Sequence, residues 1–159
     1  MSATTTIASK NPANAAPGSL AAGTAAGTFN AQIASAVLRI TLGVMYLTHS
    51  LLLKVATFGV AGTVGFFESL GLPAAFAYLT IFAEAIGGAL LVLGVGTRAV
   101  ALALIPILAG ATWVHAGNGW VFSNAGGGWE YPVFLIIVSV VVALLDRGSW
   151  KPRLLAPVG

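Results

Sequence analysis

The chain has no cysteine among its 159 residues. Disulfide staples, thiolate metal sites, cysteine nucleophiles and dithiol electron shuttles are therefore excluded within it. Charge is nearly as scarce, at 7% of residues, where a soluble domain carries about 25%. That is too little charge to cover a water-exposed surface. The formal net charge of +3 is scattered, with no basic cluster and no zinc-finger spacing. Nucleic acid is excluded as a partner on that ground. A phosphate-cradling loop is missing too: "GVGT" at 94–97 follows an apolar run and has no attached lysine.

What is present is hydrophobic: 58% of residues, with a mean hydropathy of +0.96. Apolar runs occupy about 31–53, 74–95, 99–116 and 131–145. A helix rises 1.5 Å per residue, so about 20 residues cross a bilayer core. The expected fold is all-α: an integral membrane four-helix bundle in a domain at 29–150. The last two spans are short by that rule, a shortfall that tilt or interfacial residues make up. Pro106 interrupts the third span and bends it. Residues 1–28 are rich in Ala, Ser, Thr, Gly, Pro and Asn, carry Lys10 as their one charge, and lack a secretory-signal pattern. They read as a disordered tail, and 151–159 as a short C-terminal tail.

The charges give an orientation. Lys10, Arg39, Arg98, Arg147, Lys151 and Arg153 fall on one side, while Lys54, Glu68 and Glu130 fall on the other. The positive-inside rule puts both termini in the cytoplasm. The segment "TVGFFESLGLP" in the first outward joint has Phe66, Phe67 and Leu70 at helical spacing, with Gly71 and Pro73 ending it. A short helix in the membrane interface is expected there. In the third joint, Trp120, Trp129 and Tyr131 suit the headgroup level.

Inside this apolar frame stands Glu84, in the middle of "YLTIFAEAIGGALLVLGVG". Thr80, Glu84, Gly88 and Leu91 share one stripe, and Gly87 and Gly88 admit a close neighbour, so the acid faces inward. An acid inside a span points to function by default. On span one Arg39, Gly43, Tyr46, Ser50 and Lys54 share a broad face, with His49 beside Tyr46. His115 lies near the end of span three, after Trp113. These groups predict a polar funnel that opens outward and ends near Glu84. Glu84, His49 and His115 are the candidate proton-handling groups. Tyr46 would donate to a carbonyl and Trp113 would stack on a flat ring. Arg39, Lys54 and Glu130 complete the candidate binding set, with Arg39 either balancing Glu84 or snorkelling to headgroups. No metal site is indicated. Two histidines 66 positions apart would bracket a haem only if they met at one depth, and there is no second pair.

Four segments resemble the DoxX family. They are "RITLGVMYLTHSLLLK" at 39–54, "FAEAIGGALLVLGVGTR" at 82–98, "NGWVFSNAGGGWEYPVF" at 118–134 and "LLDRG" at 144–148. Together they cover about 33–150. The resemblance implies four membrane helices and a place near the small membrane subunit of thiosulfate:quinone oxidoreductase. It also implies links to quinone or aromatic-compound detoxification and to membrane complexes that handle oxidative and thiol stress. Arg39, Lys54, Glu84, Arg98 and Glu130 fall at family-like positions.

The function expected is that of a subunit of a quinone-linked oxidoreductase system in a bacterial inner membrane. Quinone is its carrier, a larger protein its partner and the lipid bilayer its solvent, with homo-oligomers also open. Two other classes fit the same residues: a structural subunit that assembles a membrane complex, and a transporter for a small polar solute.

Overall fold

The computed structural model describes the backbone of residues 17–146 and the side chains of 27–146. Lys10, Arg147, Lys151 and Arg153, with the expected tail at 151–159, lie outside the described residues. The described chain is helical throughout and has no strand. It divides into two units, 1–33 and 34–159. Helix α1 (Pro17–Leu47) begins in the first unit, inside the stretch that composition reads as tail. In the second unit the chain continues from α1 into a π-helical segment, Thr48–Thr57. Then come α2 (Gly59–Ser69), α3 (Ala74–Leu93), α4 (Thr97–Ala103), α5 (Ile105–His115) and α6 (Glu130–Leu145).

Three helical stretches are long and apolar enough to cross a membrane: Gly27–Thr57, Ala74–Leu93 and Thr97–Asn118. Glu130–Leu145 is apolar but shorter. The large apolar side chains that remain exposed, among them Val44, Phe82, Ile86, Leu102 and Ile137, suit a hydrocarbon solvent. The core of the second unit is Leu42, Tyr46, Leu91, Leu104, Leu108, Leu135 and Val142 with Ala101 and Ala143.

Small residues let α1 and α3 cross closely. A Cβ on Gly43 would stand 2.7 Å from the Gly88 carbonyl oxygen, and one on Gly88 would stand 2.8 Å from that of Gly43. Backbone therefore meets backbone there, the packing mode that membrane helices use. Next to it, Gly87 accepts the Leu104 side chain.

The π-helical segment starts where Thr48 donates its hydroxyl to the Val44 carbonyl, 2.9 Å away. That bond competes with the backbone N–H for the same acceptor and loosens the α ladder. The wider turns end with the Phe58 N–H on the Leu53 carbonyl, five residues back. Two hydroxyls then pin the segment to its neighbours. Ser50 donates to the Ile81 carbonyl of α3, and Thr63 of α2 donates to the Lys54 carbonyl, both at 2.8 Å.

Helix α3 stops at Gly94, whose φ of +71° only glycine adopts without strain. The Val95 N–H returns to the Leu90 carbonyl, 2.9 Å away, as in a Schellman ending. The tight turn falls at 94–96, one step earlier than "GTR", whose Thr97 and Arg98 already open α4. The bend expected at Pro106 is present as a break at Leu104 between α4 and α5. Proline has no N–H for the carbonyl four residues back, so the ladder cannot run through. Below the break α4 packs on both α6 and α3; above it α5 keeps to α6 and departs from α3.

Candidate functional site

That divergence leaves a cavity of about 530 Å³. The π-helical segment, α3, α5 and the start of α6 wall it, and Phe66, Phe67 and Leu70 of α2 roof it. Tyr46, His49, Lys54, Glu84, Trp113 and His115 all line it. Six residues drawn from three separate spans of the sequence thus meet in one chamber. Arg39 is not among them, and Glu130 belongs to a neighbouring groove with Trp120 and Tyr131. The walls are mostly apolar, with Pro106, Ile107, Leu108, Ala111 and Leu135 among them. An apolar chamber with a polar cluster on one side stands where a polar funnel was expected.

The cluster is built around an ion pair. Lys54 Nζ lies 2.6 Å from Glu84 Oε2, with side chains 19% and 7% exposed. Lys54 is thus the partner of the intramembrane acid. Arg39 has another place: its Nη1 donates to the carbonyls of Leu91 and Val92, each at 2.8 Å. It caps the C-terminal end of α3, where the helix dipole favours a cation, about two turns from Glu84. Its guanidinium lies where a Cβ at position 94 would be, a second reason for glycine there.

The π-helical segment explains the choice of lysine. At roughly 80–85° per residue, as five-residue ring closure requires, His49 and Lys54 lie about 50° apart around the axis. At 100° per residue they would lie about 140° apart. The wider turns bring both onto the chamber face.

Tyr46 is 1% exposed, and its hydroxyl has no hydrogen-bond partner among the described residues. Ser139 and Glu84 are the polar groups near it; the Ser139 hydroxyl donates to the Leu135 carbonyl at 2.8 Å and keeps lone pairs that can accept, but it does not reach hydrogen-bond geometry with Tyr46. A buried O–H left unmade is costly unless something accepts from it. His49 stacks on Tyr131 with ring centroids 6.1 Å apart. His115 Nδ1 lies 3.0 Å from the Gly126 carbonyl. A carbonyl only accepts, so Nδ1 is the donor in this contact.

Glu130 does not cap its own helix. Its Oε1 accepts the Phe122 N–H at 2.9 Å and ties down the loop before α6. The loop closes through Trp129 N–H to the Gly119 carbonyl and Glu130 N–H to the Trp120 carbonyl. Trp120 and Trp129 meet edge to face at 4.4 Å. Gly128 admits no side chain, because a Cβ there would strike the carbonyl oxygens of Trp120 and Val121. Thr63 was not singled out from sequence, and nothing local marks it. Its role depends on the Lys54 carbonyl that the π-helical turns expose. No group of three or more His, Asp or Glu suited to a metal occurs among the described residues.

An apolar, all-helical chain with spanning helices and a buried carboxylate–ammonium pair is a membrane protein by class. A family model, DoxX, matches residues 34–117. Over 114 residues the chain is 32% identical to "Putative oxidoreductase CatD" of Bacillus subtilis (strain 168), covering 71% of this chain and 79% of that relative. The chain belongs to the DoxX family. No solved structure gives a significant match.

Proposed function

We propose that this chain is the membrane-embedded subunit of a quinone-linked oxidoreductase system and that its chamber holds the head of a quinone or a related aromatic carbonyl carrier. The observation that carries this reading is the buried Tyr46 hydroxyl, unpartnered in the wall of an apolar chamber beside the Lys54–Glu84 pair. A ring carbonyl supplies the acceptor that Tyr46 lacks once the buried hydroxyl turns toward the chamber. The apolar walls suit the ring, and Trp113 offers a face for it. The relative described as an oxidoreductase supports the same class.

Quinone takes up two electrons and two protons to become quinol. This chain has no cysteine and no cofactor motif, so on this reading the electrons come from a partner redox protein or directly from a substrate. The chain's own part is to seat the ring, exclude water and move protons. Glu84, tied to Lys54, holds an exchangeable proton next to the ring site, and His49 and His115 link it toward the outer end. On this reading α6 is a fourth span. Its 16 residues rise about 24 Å, and the Trp120–Trp129 loop at the headgroups completes the crossing. Both termini then face the cytoplasm across the inner membrane.

The test is the protein purified in lipid nanodiscs, with co-extracted quinone quantified for wild type, Tyr46→Phe and Glu84→Gln. Tyr46→Phe is expected to lower occupancy about three- to tenfold, the worth of one buried hydrogen bond. Glu84→Gln is expected to slow turnover with the partner while keeping the ring bound. Unchanged occupancy and turnover in both variants would favour an assembly subunit. Solute flux into sealed vesicles without any redox partner would favour a transporter.

A further inference from the structure

The chamber has an entrance that the polar cluster does not explain. Its aqueous end is closed: α2 packs on both the π-helical segment and α3, Thr63 bonds it to Lys54, and His49 stacks on Tyr131. Its side is not closed. Leu79 on α3 and Trp113 on α5 line the chamber, yet they are 63% and 61% exposed. Pro106 and Gly110, also lining residues, are exposed along the same face of α5. Beyond the break at Leu104, α5 stays on α6 but departs from α3, so an apolar slot runs from Pro106 to Trp113, about 10 Å along the helix. No described residue seals this slot from its surroundings, which in a bilayer are acyl chains.

Resting on the reading above, we propose that this slot is a lateral portal. The ligand is a lipid-phase amphiphile: a carbonyl-bearing ring with a long apolar tail that enters sideways between α3 and α5. The head reaches Tyr46 and the Lys54–Glu84 pair, and the tail stays in the slot against Leu79 and Trp113. A tail-less ring from water would have to pass the α2 roof. The tail also adds apolar burial that the ring alone lacks.

The probes are 2,3-dimethoxy-5-methyl-1,4-benzoquinone and the same ring bearing a decyl chain. Each is equilibrated with nanodiscs that hold the full chain. Bound quinone is counted as the excess over empty nanodiscs, at equal mole fraction of probe in the lipid. Gly110→Trp fills the slot from α5, and Leu79→Trp fills it from α3, where the native side chain packs on little. Gly110→Ala is the control, since an added Cβ there meets nothing within 4 Å. The decyl probe is expected to bind at least about tenfold tighter than the bare ring. Either tryptophan variant should weaken the decyl probe about tenfold, and Gly110→Ala should leave it unchanged. Equal binding of the two probes, or decyl binding untouched by both tryptophans, overturns the portal while the ring site stands. If neither probe exceeds empty nanodiscs, the carrier reading falls and the portal with it.

Discussion

At the scale of single residues the energetic weight rests on Lys54 and Glu84. A charge pair this far out of water does not stabilise by Coulomb attraction alone, because desolvation opposes it. Removing one partner is another matter, since it strands the other charge. Glu84→Ala is expected to destabilise by about 3 kcal/mol, whereas Lys54→Met with Glu84→Leu should recover most of that loss. Thermal unfolding in detergent across the four-member cycle checks it, and purely additive losses would mean the pair is not coupled. Arg39 is a different kind of cation. It terminates α3 through two carbonyls, so its removal should loosen a helix end and leave the chamber groups in place.

At the scale of elements, close helix contact is the feature most exposed to test. Gly43→Ala places a methyl against the Gly88 backbone oxygen, which cannot move as a side chain can. A loss of about 1–3 kcal/mol is expected, while Gly110→Ala, facing open space, should cost almost nothing; unfolding midpoints compare the two. Three of the four expected spans are helical stretches long and apolar enough to cross a membrane, and the fourth is an apolar but shorter helix. Length and apolarity alone place α3 within two residues of the expected end, and Pro106 announces the break two residues before it. The inward stripe of Glu84, Gly88 and Leu91 was legible for the same reason, because α3 is a regular helix. The π-helical turns were not. Thr48 is one ordinary threonine, and a four- or five-residue ring uses the same apolar side chains. The angle between His49 and Lys54 depends wholly on that choice, so the partner of Glu84 could not be read from spacing. The Arg39 cap was hidden likewise, since it depends on where α1 crosses α3.

At the scale of the whole molecule, the chamber exists because α4–α5 is one span in two directions. Packed on α6 along both halves and on α3 below Leu104, the span cannot fill the space beside α3 above the break. On the proposed orientation, which rests on the charge asymmetry, the chamber lies toward the outer face. The absence of cysteine gives a clean check: Asn124→Cys in the loop before α6 should react with a membrane-impermeant maleimide from the periplasmic side of intact cells. Ala99→Cys near Arg98 should react only after lysis. The reverse pattern would invert the protein and move the proton-handling groups to the cytoplasmic end.

The central claim is that a ligand carbonyl takes the hydrogen bond Tyr46 otherwise lacks. Infrared difference spectroscopy of a carbonyl-labelled decyl benzoquinone bound to the nanodisc-embedded protein measures this directly. A carbonyl band at lower wavenumber than in empty nanodiscs, returning toward the lipid value in Tyr46→Phe, is the predicted result. A band at the lipid position in the wild-type protein would contradict it.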